Sequence, residues 1–212
     1  IMRNGIKTKL SNVVAALAII FISVNTSCQR ISYQKIVIPD FPAEGLILDI
    51  GGGGEGVIGQ LKGDQAISID ISKAELTDAP SRNLKIVMDA RDLKFIDNSF
   101  NTVVIFYTMM YINCNDHEKV LSEAYRVLKP GGKLMIWDVD LPATKGKKSK
   151  LQIYSFKFLL PEKNITTGYG THTGDKEQDL QYYIDLAVKT GFEEINTSQT
   201  NSSFFMEMKK PE

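Results

Sequence analysis

Three acids in the first half of the chain each sit at the end of a short apolar run. Asp49 precedes the glycines of Leu48-Asp49-Ile50-Gly51-Gly52-Gly53-Gly54-Glu55-Gly56. Asp70 closes Ala66-Ile67-Ser68-Ile69-Asp70, and Asp89 closes Ile86-Val87-Met88-Asp89. Glycines between a strand and a helix let the backbone turn sharply and approach a ligand closely. The helix N-terminus behind such a loop offers free N–H groups to an anion such as a carboxylate. Gly51, Gly53 and Gly56 also satisfy the dinucleotide spacing G-x-G-x-x-G. An acid about twenty residues beyond the first glycine, as Asp70 is, can accept both hydroxyl hydrogens of a ribose; its plainer role is to cap a helix starting at Ser72. Asp89 can accept from the exocyclic amine of a base, with Met88 and Ile71 sandwiching the ring. The plainer reading is a solvated loop acid.

Other reactive side chains are scattered. His117 falls in the first turn of a predicted helix and reads as a solvated histidine. His172 stands in the glycine-rich stretch Thr167-Gly168-Tyr169-Gly170-Thr171-His172, and Asp138 and Asp140 follow a predicted strand. If a proton must be removed from a substrate hydroxyl or acidic carbon, a general base is useful. Cys28 and Cys114 make neither a disulfide framework nor a zinc spacing, and no metal site is expected. Cys114 reads as a small apolar residue.

The elements that must position these residues alternate. Apolar runs at Leu46–Ile50, Ala66–Asp70, Ile86–Asp89, Thr102–Tyr107 and Lys133–Trp137 read as buried parallel strands. Ser72 with Glu75, and Asn115 with Glu118, make capping-box starts. The second helix carries Val120, Leu121, Ala124, Tyr125 and Leu128 at helical spacing and is stopped by Pro130-Gly131-Gly132. Asp175 and Gln178 open a further helix that Gly191 closes. Two last runs, Phe192–Thr197 and Ser203–Met208, are joined by Ser198–Ser202, which is hairpin length and too short for a crossover. The predicted fold is α/β: a Rossmann-like three-layer sandwich with helices on both faces of a seven-stranded, mostly parallel sheet. Its last strand is antiparallel and inserted between two parallel neighbours.

Residues 141–176 form an insertion. It opens with Lys145, Lys147, Lys148 and Lys150, read as a solvated loop, and continues with Tyr154, Phe156 and Phe158 on one face of an extended stretch. That face either packs an extra strand on the core or makes an aromatic lid. At the other end, Arg3, Lys7 and Lys9, the apolar run Val13–Val24 and Asn25-Thr26-Ser27-Cys28 read as an export or anchor segment. Residues 1–28 are therefore set apart from a domain over 29–212. Charge is balanced, with 25 Lys+Arg against 25 Asp+Glu, so no net field favours nucleic acid.

Taken in order, the segments Leu48–Gly53, Ile69-Asp70-Ile71-Ser72 and Met88-Asp89-Ala90 resemble the first three motifs of the class I S-adenosylmethionine-dependent methyltransferases. Asp97-Asn98-Ser99-Phe100-Asn101-Thr102-Val103-Val104 and Glu123-Ala124-Tyr125-Arg126-Val127-Leu128-Lys129-Pro130-Gly131-Gly132 resemble the segments before their fourth and fifth strands. The similarity is to the small-molecule branch that includes quinone and sterol methyltransferases. It implies methyl transfer from S-adenosylmethionine, leaving S-adenosylhomocysteine, to a small, partly apolar acceptor. Asp49, Gly51, Gly52 and Gly53 would hold the methionine portion, Asp70 the ribose, and Asp89 with Ala90 the adenine edge, with Ile71 and Met88 against the ring. Phe106 and Tyr107 would line the methyl-facing side. Tyr154, Phe156, Phe158 and Tyr169 are the expected acceptor contacts. No catalytic base is assigned; His172, Tyr107 and Asp138 are the candidates. The family loop usually reads G-x-G-x-G, whereas here Glu55 stands at the third position. Two rival readings are a nicotinamide-dependent oxidoreductase and a non-catalytic binder of S-adenosylmethionine or a nucleoside. The cofactor implies the cytoplasm, and residues 1–28 leave membrane association open.

Overall fold

The computed structural model describes residues 28–144, 146, 148 and 150–212. The export or anchor segment therefore lies outside the described residues except for Cys28, as do Lys145 and Lys147. In chain order the strands are β1 (Cys28–Arg30), β2 (Gln34–Val37), β3 (Ile47–Ile50), β4 (Ala66–Asp70), β5 (Leu84–Val87), β6 (Phe100–Phe106), β7 (Leu128–Val139), β8 (Leu151–Leu159), β9 (Asn164–His172), β10 (Glu193–Thr200) and β11 (Ser203–Lys209). The α-helices are α1 (Val57–Lys62), α2 (Lys73–Asp78), α3 (His117–Val127) and α4 (Leu180–Thr190).

The main sheet has the order β10-β11-β7-β6-β3-β4-β5. All its neighbours are parallel except β11, which runs antiparallel to both β7 and β10. The reason is the link between β10 and β11. Only Asn201 and Ser202 separate the strands, and Asn201 takes a left-handed φ of 55°, a conformation that favours Asn in tight hairpins. The turn is shorter than the sequence suggests because Ser198–Thr200 extend β10. β3 and β6 are buried on both faces, as their unbroken apolar runs require.

One face of this sheet is covered by α3 and α4, whose Val120, Leu121, Ala124, Tyr183 and Ala187 meet Ile50, Val103, Ile105, Leu134 and Phe204. The other face differs from the expectation of helices alone. There α1 is joined by a second, four-stranded sheet in which β9 pairs one edge of β8, and β1 and then β2 pair the other. The insertion thus supplies two strands, and residues before β3, to which the sequence assigned no element, supply two more. Tyr154, Phe156 and Phe158 alternate on β8 and are completely buried against Phe106, Tyr107 and Trp137.

Several boundaries moved for identifiable reasons. Ser72 does cap α2, accepting from Glu75 N–H at 3.3 Å. Asn115 does not cap α3: its N–H donates to Asn113 Oδ1, and the capping position is Asp116, whose carboxylate is drawn instead to Arg91 at 2.9 Å. Helix α4 starts after Asp179, whose side chain accepts from Tyr182 N–H at 2.8 Å. Gln178 is held extended by paired backbone bonds with Leu141. α3 ends at Val127, ahead of Pro130-Gly131-Gly132, which lie within β7. Between β5 and β6 no helix occurs among the described residues. Gly191 closes α4 with a left-handed φ of 111°, as predicted.

Candidate functional site

A cavity of about 700 Å³ opens at the carboxyl ends of β3, β4, β5 and β6, where ligands of open α/β sheets bind. The glycine loop forms its floor. Gly51 has φ 75°, and a Cβ there would stand 2.2 Å from Thr108 Oγ1. At Gly53 a Cβ would meet Glu75 Cβ at 2.5 Å and Asp70 Oδ2 at 2.8 Å. The loop is thus wedged between the segment after β6 and the start of α2, and only glycine fits both sides. The N–H groups of Gly51 and Gly52 both donate to Ile69 O, at 2.8 and 3.0 Å, which ties the loop to β4.

All the residues assigned to a cofactor line this one cavity: Asp49, Gly51, Gly52, Gly53, Asp70, Ile71, Met88, Asp89, Ala90, Phe106 and Tyr107. The three acids differ in state. Asp49 is buried, accepts from Ser68 Oγ at 2.7 Å, and burial pushes its carboxyl up to about 7. Asp70 uses Oδ1 to accept Ser72 N–H at 2.8 Å, so the helix-start role holds for one oxygen, while Oδ2 faces Gly53. Asp89 is gripped by the Arg91 guanidinium, with Arg91 Nη2 2.7 Å from Oδ2, and that bond holds its carboxyl below the usual range. Ile71, 68% exposed, gives the rim an apolar plate. Tyr107 adopts φ 50° in the turn after β6, its hydroxyl meets Ser203 Oγ, and Ser203 donates on to Asp138 O at 3.2 Å.

The expected acceptor and base residues separate. Tyr169 lines the cavity with Tyr107, their ring centroids 5.6 Å apart. Tyr154, Phe156 and Phe158 do not line it; their rings fill the core between the two sheets because that face of β8 points at the main sheet. His172 is exposed at the end of β9 and away from the cavity. Asp138 is fully buried behind the wall: its carboxylate accepts N–H groups of Val139 and Met110 and so braces the turn after β6. His117 is buried rather than solvated. Nε2 faces the carbonyls of Met109 and Ile112, Nδ1 faces Tyr182 OH, and burial lowers its pKa.

Sequence reasoning missed the rest of the wall. Glu55, Glu75 and Asp116 line the cavity beside Asp49, Asp70 and Asp89, and among the described residues that line it Arg91 is the one cation. The Arg91 guanidinium is already shared between Asp89 and Asp116. The site therefore favours a cationic group, and among the described residues it offers no free cation to a phosphate. Thr108, Tyr111 and Gly168 line it as well. Among the described residues no group of His, Cys, Asp and Glu is disposed to hold a metal.

Residues 48–136 match the model of the methyltransferase domain family. The chain is 32% identical over 153 residues to a ubiquinone/menaquinone biosynthesis C-methyltransferase of Legionella pneumophila, covering 66% of this chain and 58% of that one. To a demethylmenaquinone methyltransferase of Listeria monocytogenes it is 35% identical over 94 residues, 44% of this chain and 38% of the other. The chain thus spans only part of the length of the curated relatives it matches. In fold it is similar to a S-adenosylmethionine-dependent methyltransferase of Methanosarcina mazei, with TM-score 0.59 and 20% identity over 81% of this chain and 94% of that one. A glycopeptide N-methyltransferase complexed with S-adenosylmethionine gives TM-score 0.56 at 13% identity, over 84% and 93%.

Proposed function

We propose that this chain binds S-adenosylmethionine in the cavity above β3–β6 and transfers its methyl group to a small, partly apolar acceptor. The observation that carries this reading is the convergence of the glycine loop, Asp70, Asp89 and Tyr107, far apart in sequence, on one acid-walled cavity. The residues fit the group. The glycine floor admits a close approach, Asp70 keeps one oxygen free of local bonds, and the surplus of carboxylates suits a ligand carrying ammonium and sulfonium charges. When bound, that cofactor supplies a methyl already activated on a sulfonium. The chain's own work is then orientation and exclusion of water. Asp70 accepts ribose hydroxyls, Ile71 and Met88 flank the adenine, and Asp49 holds the methionine amine. Tyr107 and Tyr169 border the acceptor end.

Balanced charge and a cavity lining in which, among the described residues, acids outnumber the one cation support a small acceptor over nucleic acid. The relatives' names make a quinol-type ring the first acceptor to test. A cytoplasmic enzyme is the matching localisation. Among the described residues no helix is long and apolar enough to cross a membrane. The nicotinamide reading is disfavoured by the full engagement of Arg91. Titration calorimetry decides: S-adenosylhomocysteine binds with micromolar or better affinity and NAD does not, whereas tight NAD binding without any response to S-adenosylhomocysteine overturns the reading.

A further inference from the structure

We infer that Glu55, which stands where the family loop carries its third glycine, is the positioning residue that fixes β9 as a roof over the acceptor end of the cavity. The inference deepens the proposed function and rests on it for the word acceptor alone; the clasp itself is independent of the ligand.

Glu55 extends from the glycine loop to β9, where its carboxylate accepts from Thr167 Oγ1 and from Tyr169 OH at 2.9 Å. Charge-assisted bonds of this kind are about twice as strong as neutral ones. The next inward-facing residue of β9, Thr171, donates to Met110 O at 2.8 Å, in the segment after β6. β9 is therefore stitched to both loops that flank the cavity, and Gly168 and Tyr169 within the stitched stretch are lining residues. A third tie runs from Lys163, in the β8–β9 turn, to Gln60 of α1, whose own side-chain amide donates to Glu55 O. β9 is an edge strand: it pairs β8 along its whole length and packs Ile165 and Tyr169 on the core, but its alternate residues are exposed. The face it turns to the cavity is held in addition by these side-chain ties. A glycine at position 55 could make neither the bond to Thr167 nor the bond to Tyr169. Replacing that glycine converts an insertion into a fixed ceiling, with the Tyr169 ring in contact with Tyr107, centroids 5.6 Å apart, beside the acceptor end.

The test is hydrogen exchange of residues 164–172 in the unliganded full chain, with β3 and β6 as internal controls. Glu55→Gln keeps the size of the side chain and removes its charge; Tyr169→Phe removes one donor. Each should speed exchange at 166–170 roughly tenfold while β3 and β6 are unchanged. The double variant should be no faster than the faster single, because both remove one interaction. Unchanged exchange in Glu55→Gln, or additive effects in the double variant, overturns the inference. S-adenosylhomocysteine calorimetry on the same proteins separates the two readings. Wild type that binds nothing while its β9 exchange still responds to Glu55→Gln sinks the methyltransferase reading and leaves the clasp standing. Loss of ligand affinity in Glu55→Gln beyond about tenfold, with β9 exchange unchanged, makes Glu55 a ligand contact and sinks the clasp.

Discussion

The two oxygens of Asp70 face different partners, one the Ser72 N–H at 2.8 Å and the other the Gly53 side of the cavity. Removing the carboxylate therefore costs a local turn bond and a ligand bond together. A hydrogen bond to a charged acceptor contributes ~1.5–3 kcal/mol, so Asp70→Ala should weaken S-adenosylhomocysteine binding by roughly ten- to a hundredfold in calorimetry. Affinity within about twofold of wild type would remove Asp70 from the ligand. Gly51 makes the complementary case. Gly51→Ala places a Cβ 2.2 Å from Thr108 Oγ1 at φ 75°, so it should lower both melting temperature and ligand affinity, a joint loss that neither a purely structural nor a purely contacting residue predicts.

At the scale of elements, β8 explains why an aromatic stripe in an insertion ended in the core. Its side chains alternate, and its inward face carries Tyr154, Phe156 and Phe158 with ring centroids 6.3 and 5.3 Å apart. Those rings replace the helical cover that this half of the sheet would otherwise need. Phe156→Ala should then cost ~3–5 kcal/mol of stability, as large core truncations do, read as a lower denaturant midpoint. A folded variant of unchanged stability with selectively weakened acceptor binding would restore the lid reading. β9, one strand further out, remains at the cavity because Glu55 and Met110 O hold its inward face.

Over the whole molecule the buried acids set the pH response. Burial pushes the carboxyls of Asp49 and Asp138 up from an ordinary 3.8 to about 7. Between about pH 4 and 7 the folded chain holds more of these protons than the unfolded chain. The stability they bring is fully present at low pH and is lost as pH rises through 7. His117 works the other way, since its lowered pKa makes the unfolded chain bind the proton first as pH falls. Asp138→Asn should consequently flatten the stability gain seen between pH 8 and pH 5.5, by ~1–2 kcal/mol given 1.36 kcal/mol per pKa unit. Parallel profiles of wild type and variant would show that Asp138 titrates alike in both states.

The sequence by itself determined the seven-stranded, mostly parallel sheet with its antiparallel last strand, and the convergence of the glycine loop and the strand-end acids on one cavity. Both rest on local rules. Unbroken apolar runs bury on two faces, a short link can only make a hairpin, and strand-end acids beside a glycine loop converge wherever parallel strands end together. What only the tertiary structure decided are the features set by partners remote in the chain. The Asp89–Arg91–Asp116 network took the carboxylate that would have capped α3. β8 needed the distant β1 and β2 to complete its sheet, which no periodicity in residues 29–46 announces. Asp138 was legible as an acid at a strand end, but its side chain faces the turn after β6 rather than the cavity. Glu55 was legible as a departure from a loop pattern, but its meaning depended on Thr167 and Tyr169, more than a hundred residues away. Side-chain direction at a strand end, and pairing across such separations, are fixed by packing of the whole chain, which local sequence does not encode.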